Sequence, residues 1–194
     1  MTRAVFLDRD GTLIENRGYI CELSQALVFP FAANAVRRLN RAGYRVIVVS
    51  NQSAVARGIC SEEQLRALHR GLREHFADQG AEIAAFYYCP FLADAVLPAY
   101  RQESPLRKPA PGMLLQAAGE HGIDLAASFM VGDSLDDIEA GRRAGCRTVL
   151  VRTGHGDESE SRLAATGPRP DHIVADLAAA AALIVDAGDR PARG

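Results

Sequence analysis

The stretch Ala4-Val5-Phe6-Leu7-Asp8-Arg9-Asp10-Gly11-Thr12 sets the fold of this chain. Four consecutive apolar residues, without alternation between an inner and an outer face, suit a parallel strand covered on both sides. The run stops abruptly at two carboxylates, and Gly11 provides a turn sharp enough to bring both into one pocket. Carboxylates two residues apart at a strand end suit metal-assisted phosphoryl transfer. One attacks phosphorus to form an aspartyl-phosphate, and the other handles the leaving-group proton. Alone, the same residues are equally an Asp-rich turn that ends a strand.

Five more short apolar runs follow, at 45–50, 83–88, 129–131, 148–151 and 172–174, with helical patterns between them. Segment 33–42 is helical and ends against Gly43. Ser61-Glu62-Glu63-Gln64 fits a capping box, after which Leu65, Leu68, Leu72 and Phe76 line one face and Gly80 closes the helix. Segment 111–121 has proline in its first turn and stops at Gly122, 135–144 stops at Gly145, and 175–187 stops at Gly188. The alternation predicts an α/β fold, a single doubly wound, Rossmann-like parallel sheet flanked by helices, with 1–194 as one domain. Such sheets bind ligands outside the carboxyl ends of their strands. The longest irregular stretches, 14–31 and 89–110, both follow strands, as expected of loops that shape a substrate pocket. Segment 153–170 reads as a solvated connector.

Three later strand ends carry chemistry in turn. The second reads Ser50-Asn51-Gln52-Ser53, a hydroxyl and amides able to hold phosphoryl oxygens, or a simple polar turn. After the third comes Arg107-Lys108-Pro109, where a compact ammonium suits a phosphate and its transition state. The fourth reads Gly132-Asp133-Ser134-Leu135-Asp136-Asp137. Asp133 brings a third carboxylate near Asp8 and Asp10, and three hard oxygen donors beside a phosphate suit octahedral Mg²⁺ far better than zinc. Asp136 and Asp137 are partly explained as acids in the first turn of a helix. Four such signals in order at four successive strand ends outweigh their separate bland readings.

Composition limits the alternatives. With 194 residues the chain has room for about one ordinary domain, and 48% hydrophobic residues are too many for a disordered one. Its 22 basic residues are balanced by 24 acidic ones, and the net charge of -2 offers no basic field for nucleic acid. No apolar run reaches membrane-spanning length, and the N-terminus lacks a signal-peptide pattern. Four scattered cysteines, Cys21, Cys60, Cys89 and Cys146, fit a reduced cytoplasm. The expectation is a cytoplasmic monomer with no nucleic-acid or membrane partner. Lys108 is the one lysine, so a composition that elsewhere uses arginine has kept an ammonium in the third motif.

The four motifs resemble those of the haloacid dehalogenase superfamily of phosphotransferases, over 6–137 and, in fold pattern, through the last helix. The sequences Phe6 to Thr12, Ser50-Asn51-Gln52-Ser53 and Ala56-Arg57-Gly58 are similar to the histidinol-phosphatase and heptose-bisphosphate-phosphatase subfamily. Tyr87-Tyr88-Cys89-Pro90, Arg107-Lys108-Pro109 and Val151-Arg152-Thr153-Gly154 lean toward its heptose 1,7-bisphosphate members. The resemblance implies a fold without a large cap domain, Asp8 as nucleophile and Asp10 as general acid/base. It implies Mg²⁺ on the Asp8 side chain, the Asp10 backbone carbonyl and Asp133, with Ser50, Asn51 and Lys108 on the phosphoryl group. Arg9, Asn16, Arg17, Gly18, Tyr19, Gln52, Ser53, Arg107 and Ser134 are then expected at the substrate; Ser134 stands where some heptose enzymes have a lysine.

The implied reaction is removal of the 7-phosphate from a heptose 1,7-bisphosphate, a small phosphorylated sugar. The alternatives are histidinol phosphate or another small phosphorylated metabolite, and, from another class, a non-catalytic phospholigand-binding protein. Family members hold a structural zinc through Cys-x-His and Cys-x-Cys. Here those positions read Cys89-Pro90-Phe91 and Ser104-Pro105-Leu106, so no structural zinc is expected. Packing by Phe91, Leu92, Val96, Leu97, Tyr100 and Leu106 is expected to hold the loop instead. His69 and His75 are expected at the solvent or the rim, and His155 in a mobile turn.

Overall fold

The structure, a computed structural model, describes residues 2–163 and 169–188. Six parallel strands, β1 (Ala4–Leu7), β2 (Arg45–Asn51), β3 (Ala85–Cys89), β4 (Phe129–Gly132), β5 (Arg147–Val151) and β6 (His172–Val174), form one sheet in the order β3-β2-β1-β4-β5-β6. The chain winds outward from β1 in both directions, which makes the sheet doubly wound and puts the switch point at the end of β1. Leu7 pairs with Val48 of β2 and Val131 of β4, and the ladder continues as Asp8 N–H donates to the Val131 carbonyl at 2.9 Å.

Strand parity divides the core. Val5, Leu7, Val46 and Val48 pack beneath α1 (Ala32–Arg41), α3 (Glu62–Asp78) and α7 (Leu177–Gly188). Ala4, Phe6, Ile47 and Val49 face the other way, toward α4 (Gly112–His121) and α5 (Leu135–Ala144). Both faces are buried, which is why these strands read as continuous apolar runs. The capping box forms as expected: Gln64 N–H donates to Ser61 Oγ at 3.1 Å, and Ser61 N–H to Gln64 Oε1 at 2.9 Å. No helix among the described residues is long and apolar enough to cross a membrane.

Differences from expectation are local. The third strand begins at Ala85, although Ile83 is buried, because pairing with β2 starts there. A single-turn helix, α2 (Ser53–Ala56), is too short to show periodicity. Within the expected connector 153–170 lies α6 (Gly156–Ser161), whose sequence Gly-Asp-Glu-Ser-Glu-Ser has no apolar stripe; 164–168 lie outside the described residues. The two long loops contain 3₁₀ turns at Leu23–Gln25 and Pro98–Tyr100.

Candidate active site

β1, β2 and β4 end side by side, and the residues just past them converge. Asp8 follows β1, Asp133 follows β4, and Asp137 comes from the first turn of α5; one carboxylate oxygen from each lies within 4.8 Å of the others. All three are buried, and so is Lys108 between them. Lys108 Nζ donates to Asp8 Oδ1 at 2.6 Å, to Asp137 Oδ1 at 2.5 Å and to the Val49 carbonyl at 2.8 Å. These acceptors match the three N–H bonds of an ammonium. Asn51 clamps the same residue's backbone: its Nδ2 donates to the Lys108 carbonyl and its Oδ1 accepts from Lys108 N–H, both at 3.0 Å.

The charges do not balance locally. Burial pushes the Asp8 carboxyl well above the usual range; Lys108 opposes this, and Asp137, Asp133 and Asp10 add to it. Burial, then Asp137, raises Asp133 to about 6, against the N–H of His155. For Lys108 burial acts downward, but Asp137 and Asp8 outweigh it and hold the ammonium above its ordinary pKa. Three buried carboxylates with one ammonium leave the site short of positive charge, and their hard oxygens fit a divalent cation such as Mg²⁺. The backbone is cut close around Asp133: a Cβ on Gly11 would stand 2.0 Å from its Oδ2, and one on Gly154 2.1 Å. His155 N–H also donates to that oxygen at 2.8 Å, and Ser159 Oγ donates to the Asp133 carbonyl at 2.8 Å.

Asp10 stands apart, half-buried and held by hydrogen bonds. Arg9 Nε lies 3.2 Å from both of its oxygens, Arg9 Nη2 lies 2.9 Å from Oδ2, and Gln52 Nε2 donates to Oδ2 at 3.0 Å. Gln52 Oε1 accepts from Arg9 Nη2 at 3.0 Å, which closes a ring of three side chains. Gln52 Nε2 also donates to Ser50 Oγ at 2.7 Å, leaving the Ser50 hydroxyl hydrogen free for another acceptor.

Asp8, Asn51, Lys108 and Asp133 are thus brought together in one cluster, and Asp10, Ser50 and Gln52 in a hydrogen-bonded network of their own. Arg9, expected at the substrate, is buried with its guanidinium turned to Asp10, Gln52 and His69. Ser134 caps α5: its hydroxyl donates to Asp137 Oδ2 at 2.5 Å, beside a cavity of about 380 Å³ lined also by Asp136, His155 and Arg162. Ser53 opens α2. Arg107 is half-buried and donates to the Phe91 carbonyl at 3.3 Å. Asn16, Arg17, Gly18 and Tyr19 are exposed in the loop after β1, and none hydrogen-bonds to the carboxylate cluster. His155 is exposed and meets Asp133 through its backbone.

Two residues escaped the sequence reading. Asp137 reads as a helix first-turn acid, but Ser134-x-x-Asp137 is also a capping box, which turns the carboxylate back toward Asp133. His69, expected at the surface, is buried; it stands four residues after Leu65 and three before Leu72, on the helix's apolar face. Around 89–107, Phe91 and Leu106 pack on the core and Cys89 is buried, whereas Val96 is 63% exposed and holds nothing. Glu62 ties the segment to α3, accepting from Tyr88 at 2.6 Å and Tyr100 at 3.0 Å.

Comparison with known proteins agrees with this geometry. Residues 105–180 match the HAD-hydrolase-like family model. A D-glycero-D-manno-heptose-1,7-bisphosphate 7-phosphatase of Thermosynechococcus vestitus is 45% identical over 91% of this chain and 92% of its own length. A D-glycero-beta-D-manno-heptose-1,7-bisphosphate 7-phosphatase of Pseudomonas aeruginosa is 38% identical over 95% and 99%. The crystal structure of D,D-heptose 1,7-bisphosphate phosphatase from B. bronchiseptica, complexed with magnesium and phosphate, superposes with a TM-score of 0.85 at 30% identity, covering 96% of this chain and 99% of that one. The chain belongs to the haloacid dehalogenase (HAD) family of phosphatases, hydrolases of phosphomonoesters, among relatives named for heptose bisphosphate.

Proposed function

We propose that this chain is a Mg²⁺-dependent phosphatase that removes the 7-phosphate of D-glycero-D-manno-heptose 1,7-bisphosphate through an aspartyl-phosphate on Asp8. It acts as a single-domain monomer in the cytoplasm, without a nucleic-acid or membrane partner. The observation that carries the chemistry is the buried Asp8–Asp133–Asp137 cluster around Lys108 at three adjoining strand ends. The relatives' names support the substrate.

Mg²⁺ would be held by the side chains of Asp8 and Asp133 and the backbone carbonyl of Asp10, beside Asp137, and when bound supplies the positive charge that a phosphate needs there. Asp8 attacks phosphorus in line, and the electron pair of the breaking P–O bond leaves with the sugar oxygen. Asp10 gives that oxygen its proton. It then takes a proton from water, whose oxygen attacks phosphorus, freeing Asp8 and inorganic phosphate. Lys108 keeps its charge throughout, and Ser50 has a hydroxyl hydrogen to give to a phosphoryl oxygen. Arg107 and the loop residues Asn16 to Tyr19 are assigned to the sugar.

Phosphate release from a panel of phosphorylated metabolites, with and without chelator, tests this reading. The expected result is chelator-sensitive turnover with the highest kcat/KM on the heptose bisphosphate. Asp8→Asn is expected to keep the fold and lose at least about 10³-fold in kcat. Near-normal turnover by that variant removes Asp8 as nucleophile. A preference for histidinol phosphate replaces the substrate, and binding of phosphate without release from any ester replaces the enzyme by a binding protein.

A further inference from the structure

The reaction above gives His69 no task, yet the residue is built into the site. It is 6% exposed, stacks on Phe86 with ring centroids 4.8 Å apart, and meets Tyr88 edge-on at 5.7 Å. Its Nε2 lies 3.3 Å from Arg9 Nη1. A guanidinium only donates, so the imidazole accepts on a lone pair, and Nε2 is the unprotonated nitrogen of a neutral ring. Burial, followed by the charges of Arg9 and Arg73, lowers the His69 pKa to about 3 and keeps the ring neutral.

The bond anchors the far corner of a planar, rigid group. With Nη1 held by His69, the opposite edge of the guanidinium, Nε and Nη2, faces Asp10, and Nη2 also faces Gln52 Oε1. Gln52 in turn points its amide N–H bonds at Asp10 and Ser50. A protonated or missing acceptor at position 69 would free the guanidinium to rotate, and the Asp10 carboxyl would lose the plane in which it is held.

We propose that His69 is a positioning residue for proton transfer by Asp10, acting through Arg9. The proposal rests on the reading of Asp10 as general acid, and the leaving group separates the two. A sugar alkoxide needs a proton to depart, whereas p-nitrophenolate leaves as an anion near neutral pH. His69→Leu is expected to lower kcat/KM on the sugar phosphate by about tenfold and to leave that on p-nitrophenyl phosphate within about twofold. Turnover of the aryl ester then certifies the fold and the nucleophile of the variant. His69→Gln, which restores an acceptor oxygen, is expected to recover most of the loss. Asp10→Asn should show the same selectivity more strongly, and adding His69→Leu to it should cost nothing further. Equal losses on both esters, no loss on either, or no recovery with Gln overturns the role of His69. An Asp10→Asn variant without leaving-group selectivity overturns the reading of Asp10, and this proposal with it.

Discussion

Lys108 spends its three N–H bonds on acceptors in three different directions, Asp8, Asp137 and the Val49 carbonyl. A planar guanidinium cannot radiate three bonds from one atom, and its longer head would collide with the carboxylates it is meant to pair. Lys108→Arg is therefore expected to lose at least about 100-fold in kcat despite keeping its charge, as measured on any substrate the wild type turns over. Wild-type turnover would return the residue to an accident of composition. Asp8 and Asp133 were legible because each directly follows a strand, and Lys108, in the loop after β3, because it is the one lysine of the chain. Asp137 was not, because an acid in a helix's first turn has an ordinary explanation that sequence alone does not displace. His69 hid behind its polarity: only its spacing from Leu65 and Leu72 pointed inward, and Arg9, the partner that justifies burying it, lies on another element.

At the level of elements, strands buried on both faces announce themselves as unbroken apolar runs, and helix ends by their glycines and caps. The short polar α6 has no apolar stripe to announce it, and the turn before it meets Asp133 through the backbone N–H of His155. That turn carries Gly154 at φ +60°, where an added Cβ would lie 2.1 Å from Asp133 Oδ2 and 2.6 Å from Gly11 Cα. Gly154→Ala should strain the backbone by about 1–3 kcal/mol. Its larger effect should fall on the metal: displacing Asp133 is expected to raise the half-saturating Mg²⁺ concentration for turnover by about 10–100-fold. An unchanged Mg²⁺ dependence would show that the turn after β5 does not shape the cation site. Loop 89–107 was legible only in part. Its aromatic anchors Phe91 and Tyr100 were visible, but Glu62, which receives Tyr88 and Tyr100 from across the fold, reads in sequence merely as a helix first-turn acid.

For the molecule as a whole, the candidate site is a product of the sheet: it joins β1, β2 and β4, which are central in the strand order. Ligand binding should then stabilise the fold as one unit. Mg²⁺ with inorganic phosphate at about 100 times the dissociation constant is expected to add about 2.7 kcal/mol and shift a single thermal transition upward by about 5–11 °C. Two transitions, with only one of them responding, would divide the chain into separate units. The absence of a large cap among the described residues gives the Arg9–Asp10–Gln52 ring a further meaning. Its three side chains are ordered by hydrogen bonds to one another, so the conformational entropy spent in holding Asp10 belongs to folding rather than to the barrier to turnover.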